Sequence, residues 1–181
     1  MIRARPSATT AMPLEPIDDA VDHVRGPAHG PTLLVYGDYE CPYTRKAIRE
    51  IERLQSDDRG VRLVFRNFPL TEIHPHALTA ATAAEAAELQ GRFWDMHDLL
   101  FHRQHALGED DLARYAAELG LDAERFARDR ASEAVLARIR RDVDSGEAAG
   151  VMGTPSFFIA GRPYDGSYQA ADLARALAQS D

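Results

Sequence analysis

Two short apolar runs on either side of a helix-forming segment constrain the fold more than any other feature. Residues 32–36 (TLLVY) and 61–65 (VRLVF) each have the length and composition of a buried strand. The intervening segment favours a helix that begins at Pro42, because proline has a fixed φ and lacks the N–H that a first helical residue leaves unpaired. A strand, a helix and a strand at this spacing predict a βαβ unit of an α/β fold.

A block of helices and a second pair of strands follow this unit. Five helices are predicted, at residues 77–89, 93–104, 110–119, 122–128 and 132–147. Residues 156–160 (SFFIA) then predict a strand and residues 161–163 a turn. A short return strand is expected to begin at Tyr164, and residues 170–178 predict a closing helix. A short edge strand is expected around residues 23–26.

The distribution of prolines separates the first residues from the rest of the chain. Half of the ten prolines lie within the first 31 residues, a stretch that shows no sustained apolar period. We therefore expect residues 1–20 to form a flexible N-terminal tail. Residues 21–181 are expected to form one domain, with a helical insertion at about residues 68–148.

Charge and hydrophobicity narrow the classes of function. The formal net charge of −8 over 181 residues argues against nucleic acid as a partner, since phosphate binding needs a basic surface. No apolar run approaches the roughly 20 residues of a membrane helix, so no membrane insertion is expected. The single cysteine cannot form an internal disulfide, and the first residues lack the apolar region of a secretory signal. We therefore expect a cytoplasmic protein.

The segment at residues 41–44 (CPYT) contains the only cysteine of the chain. At the start of a helix, aligned amide dipoles and unpaired N–H groups favour the thiolate, which is the nucleophilic form. Thr44 could donate a hydrogen bond to that thiolate, or it could simply satisfy a backbone donor of the first turn. Asp38 and Glu40 are candidate proton carriers if they are partly buried; the alternative is that both are solvated turn residues. For Cys41 the alternative is a small buried apolar residue.

The seven histidines raise the alternative of a metal site. His74 and His76 are two residues apart in a proline-containing loop, and His97, His102 and His105 lie near one predicted helix. No His-x-x-x-His pair occurs, and the cysteine is distant in sequence, so no metal site is expected. His97 is expected to pack inside the helical insertion.

Residues 37–46 (GDYECPYTRK) resemble the active-site segment of DsbA-like proteins of the thioredoxin superfamily. Residues 150–161 (GVMGTPSFFIAG) resemble that family's cis-proline loop and the strand after it, and residues 68–77 and 90–98 resemble its helical insertion. The closest likeness is to the thioredoxin-like extension found after some bacterial NhaA-type sodium/proton antiporters. The resemblance implies an α/β, thioredoxin-like fold with an α-helical insertion.

The same resemblance implies roles for residues of both motifs. Cys41 would be the catalytic nucleophile, at the position that is exposed in the family. Pro42, Tyr43, Thr154 and Pro155 would form the substrate-binding surface, with a cis peptide bond before Pro155. An extended substrate would then dock along this loop as an added strand.

Thr44 occupies the position of the second cysteine in the family's dithiol members. A hydroxyl cannot resolve a mixed disulfide, so the expected activity is thiol–disulfide exchange with Cys41 alone, of the deglutathionylation or isomerase type. No bound cofactor is expected, and a low-molecular-weight thiol of the glutathione or mycothiol type would be the co-substrate. The expected partners are protein or small-molecule thiols and disulfides, with a functional link to a sodium/proton antiporter. The alternative is a non-catalytic thioredoxin-like binding or redox-sensing module.

Overall fold

The computed structural model describes residues 12–56 and 60–180. The strands in chain order are β1 (His23–Arg25), β2 (Thr32–Gly37), β3 (Arg62–Asn67), β4 (Ser156–Ile159) and β5 (Arg162–Tyr164). The helices are α1 (Pro42–Ser56), α2 (Ala77–Glu88), α3 (Phe93–His102), α4 (Glu109–Glu118), α5 (Ala123–Arg130), α6 (Glu133–Ala148) and α7 (Ala170–Ala178). No helix in these two ranges is both long enough and apolar enough to cross a bilayer.

The five strands form one sheet in the order β1-β3-β2-β4-β5. The central pair, β2 and β3, is parallel and runs in register from Thr32 opposite Arg62 to Gly37 opposite Asn67. This pair is parallel because α1 crosses over between its strands, which confirms the predicted βαβ unit. The remaining pairs, β1 with β3, β2 with β4 and β4 with β5, are antiparallel.

Alternate residues of the central strands face opposite sides of the sheet. Leu33 and Phe65 belong to the larger apolar cluster, which is completed by residues of α1, α7 and the helical block. Leu34 and Val64 belong to a smaller cluster on the other side, where Phe68 also packs. Both strands are therefore buried on both faces, which is why each has consecutive apolar residues at its centre, 33–36 in β2 and 63–65 in β3.

Helices α2 to α6 form the insertion between β3 and β4. Helix α2 contacts α3, α4, α5 and α6, and its alanines are buried almost without exception. Short side chains let the neighbouring helices approach α2 closely on several sides. The predicted thioredoxin-like fold with an α-helical insertion is confirmed.

The hairpin between β4 and β5 differs from the expectation. Ile159 pairs with Arg162, so the turn consists only of Ala160 and Gly161. Both turn residues have positive φ values, 48° and 72°, as a two-residue hairpin of the right-handed sheet requires. Residues 162–163, predicted as part of the turn, therefore belong to the strand, and Tyr164 ends β5 rather than beginning it.

Residues 12–22 form a segment, here called the N-terminal strap, that packs against the sheet and α6. The N–H of Met12 donates to the carbonyl of Ala148 at 2.8 Å. Leu14 and Ile17 pack against the smaller apolar cluster. Residues 12–20 are therefore attached to the domain, and the expectation of a flexible tail is wrong for them. Residues 1–11 of that expected tail lie outside the described residues.

Arg66 of β3 holds the strap through a buried ion pair. Its guanidinium is fully buried and donates to both carboxylate oxygens of Asp22, at 2.8 and 2.9 Å. The same group donates to the carbonyls of Glu15 and Pro16 and to the hydroxyl of Tyr36. Burial alone would raise the pKa of Asp22, but the hydrogen bond and charge of Arg66 outweigh it and lower that pKa.

Candidate active site

Cys41 lies at the carboxyl end of β2, between a tight turn and the first residue of α1. Its N–H donates to the carbonyl of Asp38 at 3.2 Å, and its own carbonyl accepts from the N–H of Arg45 at 3.1 Å. The cysteine therefore caps the first turn of the helix, as the position of Pro42 predicts. Open α/β sheets commonly place their sites at this end of the strands.

The thiol of Cys41 is covered by the loop that contains Thr154. The Sγ atom donates a hydrogen bond to the carbonyl of Thr154 at 3.2 Å, and the residue is only 3% exposed. The expectation of an exposed nucleophile is therefore wrong for this conformation. The loop comes from a segment more than a hundred residues further along the chain, so no local pattern around the cysteine could show that it is covered.

Thr44 lies beneath this turn and is fully buried. Its Oγ1 atom has no hydrogen-bond partner among residues 12–56 and 60–180, so the expected hydrogen bond to the sulfur is not formed. Its methyl group faces the end of β2, where a Cβ added to Gly37 would lie 3.0 Å from it. A role of Thr44 in tuning the thiolate stays a prediction.

Asp38 is buried, in contrast to a solvated turn residue. Its Oδ1 atom accepts from the N–H of Glu40 at 2.7 Å. Its Oδ2 atom accepts from the N–H of Leu70 at 2.9 Å and contacts Nδ1 of His74 at 2.7 Å. Both carboxylate oxygens are thus used to hold the turn and the loop that follows β3. The proposed role of Asp38 as a proton carrier stays a prediction.

Glu40 makes a second attachment between the same turn and the same loop. Its carboxylate accepts from the N–H of His76 at 2.6 Å and contacts Nδ1 of that residue at 3.0 Å. Two carboxylates of the turn, at positions 38 and 40, are therefore matched by two histidines of the loop, at positions 74 and 76. In the sequence these two histidines suggested only metal ligands, and their pairing with the two carboxylates was not predicted.

Gln104, just after α3, makes a further contact with the turn that was not predicted from the sequence. Its side-chain amide donates to the carbonyl of Tyr39 at 2.7 Å and to the carbonyl of Cys41 at 2.9 Å. One side chain of the helical insertion thus holds both ends of the three-residue segment that leads into α1. Nothing in the local sequence distinguishes this glutamine from one exposed on the surface.

A groove with a volume of about 400 Å³ lies beside the cysteine. Tyr43, Thr154 and Pro155 line it, together with Tyr164 and Tyr168. Tyr43 is 60% exposed, which is unusual for so large an apolar ring. The peptide bond between Thr154 and Pro155 is cis. Three of the four predicted substrate-binding residues therefore meet at one groove.

Pro42, the fourth, is an exposed residue that begins α1, and it is not among the residues that line the groove.

His97 packs in the core of the insertion, as expected. Its Nδ1 atom lies 3.0 Å from the hydroxyl of Tyr39, and the rings of Phe65 and Phe101 contact it edge-on. Burial holds the pKa of His97 well below its ordinary value, so the imidazole is neutral. Within the part of the chain that the structure describes, no group of three or more His, Cys, Asp or Glu residues is placed to hold a metal ion.

The sequence profile of the DSBA-like thioredoxin domain matches residues 32–178. This chain belongs to the DsbA-like thioredoxin family. The match begins at the first residue of β2 and includes Cys41, the helical insertion, the Thr154–Pro155 loop and α7. The family resemblance of the two sequence motifs is thereby confirmed.

Curated relatives of this DsbA-like domain are named as sodium/proton antiporters. The antiporter NhaA 1 of Salinispora arenicola is 46% identical over 163 residues, which is 90% of this chain and 25% of that protein. The antiporter NhaA of Herminiimonas arsenicoxydans is 45% identical over 179 residues, which is 96% of this chain and 28% of that protein. The chain thus spans about a quarter of the length of these relatives, in keeping with the likeness to an antiporter extension.

Solved structures with the same fold include two proteins of bacterial origin. A thioredoxin-like oxidoreductase from Silicibacter pomeroyi is 33% identical, with a TM-score of 0.80 over 89% of this chain and 92% of that one. BdbD from Bacillus subtilis is 20% identical, with a TM-score of 0.79 over 94% of this chain and 97% of that one; this second likeness concerns the fold alone. The DsbA-like domain has the fold of the thiol–disulfide oxidoreductases of its family.

Proposed function

We propose that this DsbA-like domain catalyses thiol–disulfide exchange with Cys41 as its only sulfur nucleophile. The observation that carries the proposal is the position of the Cys41 thiol, at the N-terminus of α1 and in contact with Thr154 at the edge of the groove. A helix N-terminus favours a thiolate, and the groove gives an adjacent surface for a bound disulfide.

The exchange takes place in two balanced steps. The thiolate of Cys41 attacks one sulfur of a disulfide, a new S–S bond forms to Cys41, and the other half leaves as a thiolate that takes up a proton. The thiolate of a second thiol then attacks the substrate sulfur of the mixed disulfide, a new S–S bond forms between those two sulfurs, and Cys41 leaves as a thiolate. Because Thr44 cannot supply that thiol, it comes from the substrate or from a small thiol of the glutathione or mycothiol type. Exchange of this kind needs a reducing supply of thiols, so we place the protein in the cytoplasm.

The substrate is held by the loop and helix end that border the groove. Tyr43 supplies an exposed aromatic surface, and Pro42 adds an exposed apolar ring at the start of α1. The backbone of Thr154, followed by Pro155, gives an edge along which an extended chain adds as a strand. Since the carbonyl of Thr154 accepts the thiol hydrogen bond in the resting protein, substrate binding at this edge must uncover the sulfur.

The test is formation and release of a mixed disulfide. The reduced protein is incubated with oxidised glutathione, and its mass is followed over time; Cys41→Ser is the control that cannot form an adduct. We expect an adduct on the wild type that a second thiol removes within the time of the assay. An adduct that forms no faster than on the urea-unfolded protein would contradict catalysis by the folded site.

The role of Thr44 has a separate test in two variants. Thr44→Val keeps the shape and removes the hydroxyl, and Thr44→Cys supplies the sulfur that a dithiol cycle needs. If the hydroxyl tunes the thiolate, Thr44→Val slows adduct formation; an unchanged rate excludes that role. We expect Thr44→Cys to release a bound glutathione without added thiol, because the new sulfur lies one helical turn from Cys41.

A second candidate function is a binding or redox-sensing module without turnover. The burial of Cys41 favours it, because a thiol that is 3% exposed reacts only when the loop moves. The same mass-spectrometric assay separates the two functions. A sensing module forms an adduct that persists in the presence of excess thiol, and a binding module forms none but retains an extended peptide in the groove.

We also propose a functional link to a sodium/proton antiporter. Its support is the extent of the likeness, since the antiporter relatives match 90% or more of this chain. The test is co-purification of this protein with an antiporter from detergent-solubilised membranes of its host. Recovery of the protein free of any antiporter would count against the link.

A further inference from the structure

The basic side chains at the start of α1 have no acidic partners among residues 12–56 and 60–180. Most arginine side chains in the two described ranges form an ion pair with a carboxylate. Five basic residues of the two ranges have no carboxylate partner there, namely Arg45, Lys46, Arg49, Arg128 and Arg162. Three of these five lie within the first two turns of the helix that Cys41 caps. In a chain with a net charge of −8, this local excess of positive charge is unusual.

The placement also opposes the preference of an isolated helix. The N-terminal end of a helix carries partial positive charge, which favours acidic side chains in the first turn and disfavours basic ones. Helices α3 to α7 follow this rule, each with at least one acidic residue in the first turn, whereas α1 and α2 have none and α1 has Arg45 there. A departure from such a local preference is expected mainly at functional sites, and this one lies beside the Cys41 thiol.

The three cations lie in the N-terminal half of the helix that Cys41 caps. Helical side chains point towards the N-terminus, and a rise of about 1.5 Å per residue puts Arg45 and Arg49 within about 12 Å of Cys41 along the axis. Lys46 and Arg49 are exposed, and the Nζ atom of Lys46 lies 5.6 Å from the centre of the Tyr43 ring, which lines the groove. The Nε atom of Arg45 is buried and has no hydrogen-bond partner among the described residues.

The carboxylates of the turn before α1 and of α1 itself are already engaged. Asp38, Glu40 and Glu52 each contact a histidine, and Glu50 contacts an arginine of its own helix. Lys46 and Arg49 are therefore exposed, and Arg45 partly so, without a compensating acidic group from the helix, although Asp165 lines the neighbouring groove.

We infer that Arg45, Lys46 and Arg49 select disulfides that carry a carboxylate close to the sulfur, as a glutathione-type mixed disulfide does. This selection rests on the proposed function, which supplies the attacking sulfur. What is new is that the preferred substrate is negatively charged. The cations and the helix end attract the anionic disulfide, and the attraction is felt before the S–S bond is exchanged.

The experiment compares two probes that differ in charge but share the same disulfide chemistry. Oxidised glutathione has a glycine carboxylate in each half, and the disulfide of glutathione ethyl ester lacks it. We expect the wild type to form the Cys41 adduct about fivefold faster with the acid than with the ester at low ionic strength. The triple variant Arg45→Gln/Lys46→Gln/Arg49→Gln loses this preference, and added salt weakens it in the wild type.

Arg128→Gln and Arg162→Gln are matched controls, because they remove unpaired arginines outside α1 and are expected to keep the wild-type ratio. Equal rates with both probes, or a ratio that survives in the triple variant, would overturn the inference. A ratio lost equally in the Arg128→Gln control would also overturn it, because net charge alone would then explain the effect.

A binding measurement separates this inference from the proposed function. S-methylglutathione cannot exchange, and its affinity for Cys41→Ser is measured with and without the three cations. If the wild type forms no adduct but this affinity falls about fivefold in the triple variant, the proposed exchange fails and the charge selection stands. If the adduct forms but neither the rate ratio nor this affinity depends on the three cations, the charge selection fails and the exchange stands.

Discussion

Replacing Gln104 with alanine should make Cys41 more reactive while leaving the cysteine itself untouched. The variant removes two hydrogen bonds, of 2.7 and 2.9 Å, to the carbonyls of Tyr39 and Cys41. At about 1 kcal/mol each, their loss amounts to about 2 kcal/mol. If the turn must open before the buried thiol can react, this raises the open population about 30-fold.

The assay is the rate of Cys41 alkylation by iodoacetamide at neutral pH, followed by mass spectrometry. Gln104→Glu is nearly isosteric and cannot donate, so it should accelerate alkylation at least as much. Gln90→Ala is the matched control, because Gln90 also makes two hydrogen bonds to one backbone segment, at Asp122, remote from the turn. It should lower stability without changing the alkylation rate.

If the alkylation rate of Cys41 in Gln104→Ala lies within about twofold of the wild-type rate, the attachment of the turn does not control access to the sulfur. The melting temperature distinguishes a local from a global effect, since a loss of about 2 kcal/mol corresponds to roughly 4–8 °C for a domain of this size. An increase in alkylation that Gln90→Ala reproduces would show that general loosening, and not the attachment of the turn, controls access to the sulfur.

Three further predictions concern stability, measured as the free energy of unfolding in urea. Because burial lowers the pKa of His97 below its ordinary value of 6.5, only the unfolded chain gains a proton there as the pH falls. Stability should therefore drop below about pH 6.5 by up to about 1.4 kcal/mol per unit, and less steeply in His97→Gln; equal slopes would contradict this. Arg66→Met should cost about 3–5 kcal/mol by leaving the buried carboxylate of Asp22 with only its longer contact to Arg141, and Arg66→Met/Asp22→Leu should recover most of it; a cost below about 1 kcal/mol would contradict it. Gly37→Ala places a Cβ 2.5 Å from a phenylalanine ring of β3 and should cost about 1–3 kcal/mol, whereas Gly153→Ala meets no atom within 4 Å and should be nearly neutral. Equal effects of the two glycine variants would contradict the steric argument.

The parts of the fold that local sequence could predict are those where a local rule decides the structure. The helix start at Pro42 follows from the missing N–H and the fixed φ of proline. The strands β2 and β3 follow from short runs of consecutive apolar residues, which burial on both faces explains. The predicted turn between β4 and β5 begins one residue too late in the sequence, because Ala160 adopts a positive φ that its residue type does not indicate.

The parts of the site that the sequence could not predict depend on contacts between distant residues. Asp38 meets His74 across 36 positions, and Gln104 meets Tyr39 across 65. The thiol of Cys41 is covered by a loop 113 positions away. The motif indicated Cys41 and its turn. Its sequence neighbours could not show that the loop after β3 and Gln104 hold this turn, or that the Thr154 loop covers the thiol.

The attachment of the strap to Arg66 determines how the domain would respond to a pulling force. Tension along the chain ahead of residue 12 reaches Arg66, where two hydrogen bonds to Asp22 would have to break together. Arg66 belongs to β3, which is paired with β2 along its whole length, so the load spreads across the parallel ladder. The pair of Arg66 with Asp22 and the ladder of β2 with β3 would therefore bear such a load before the turn at Cys41 does.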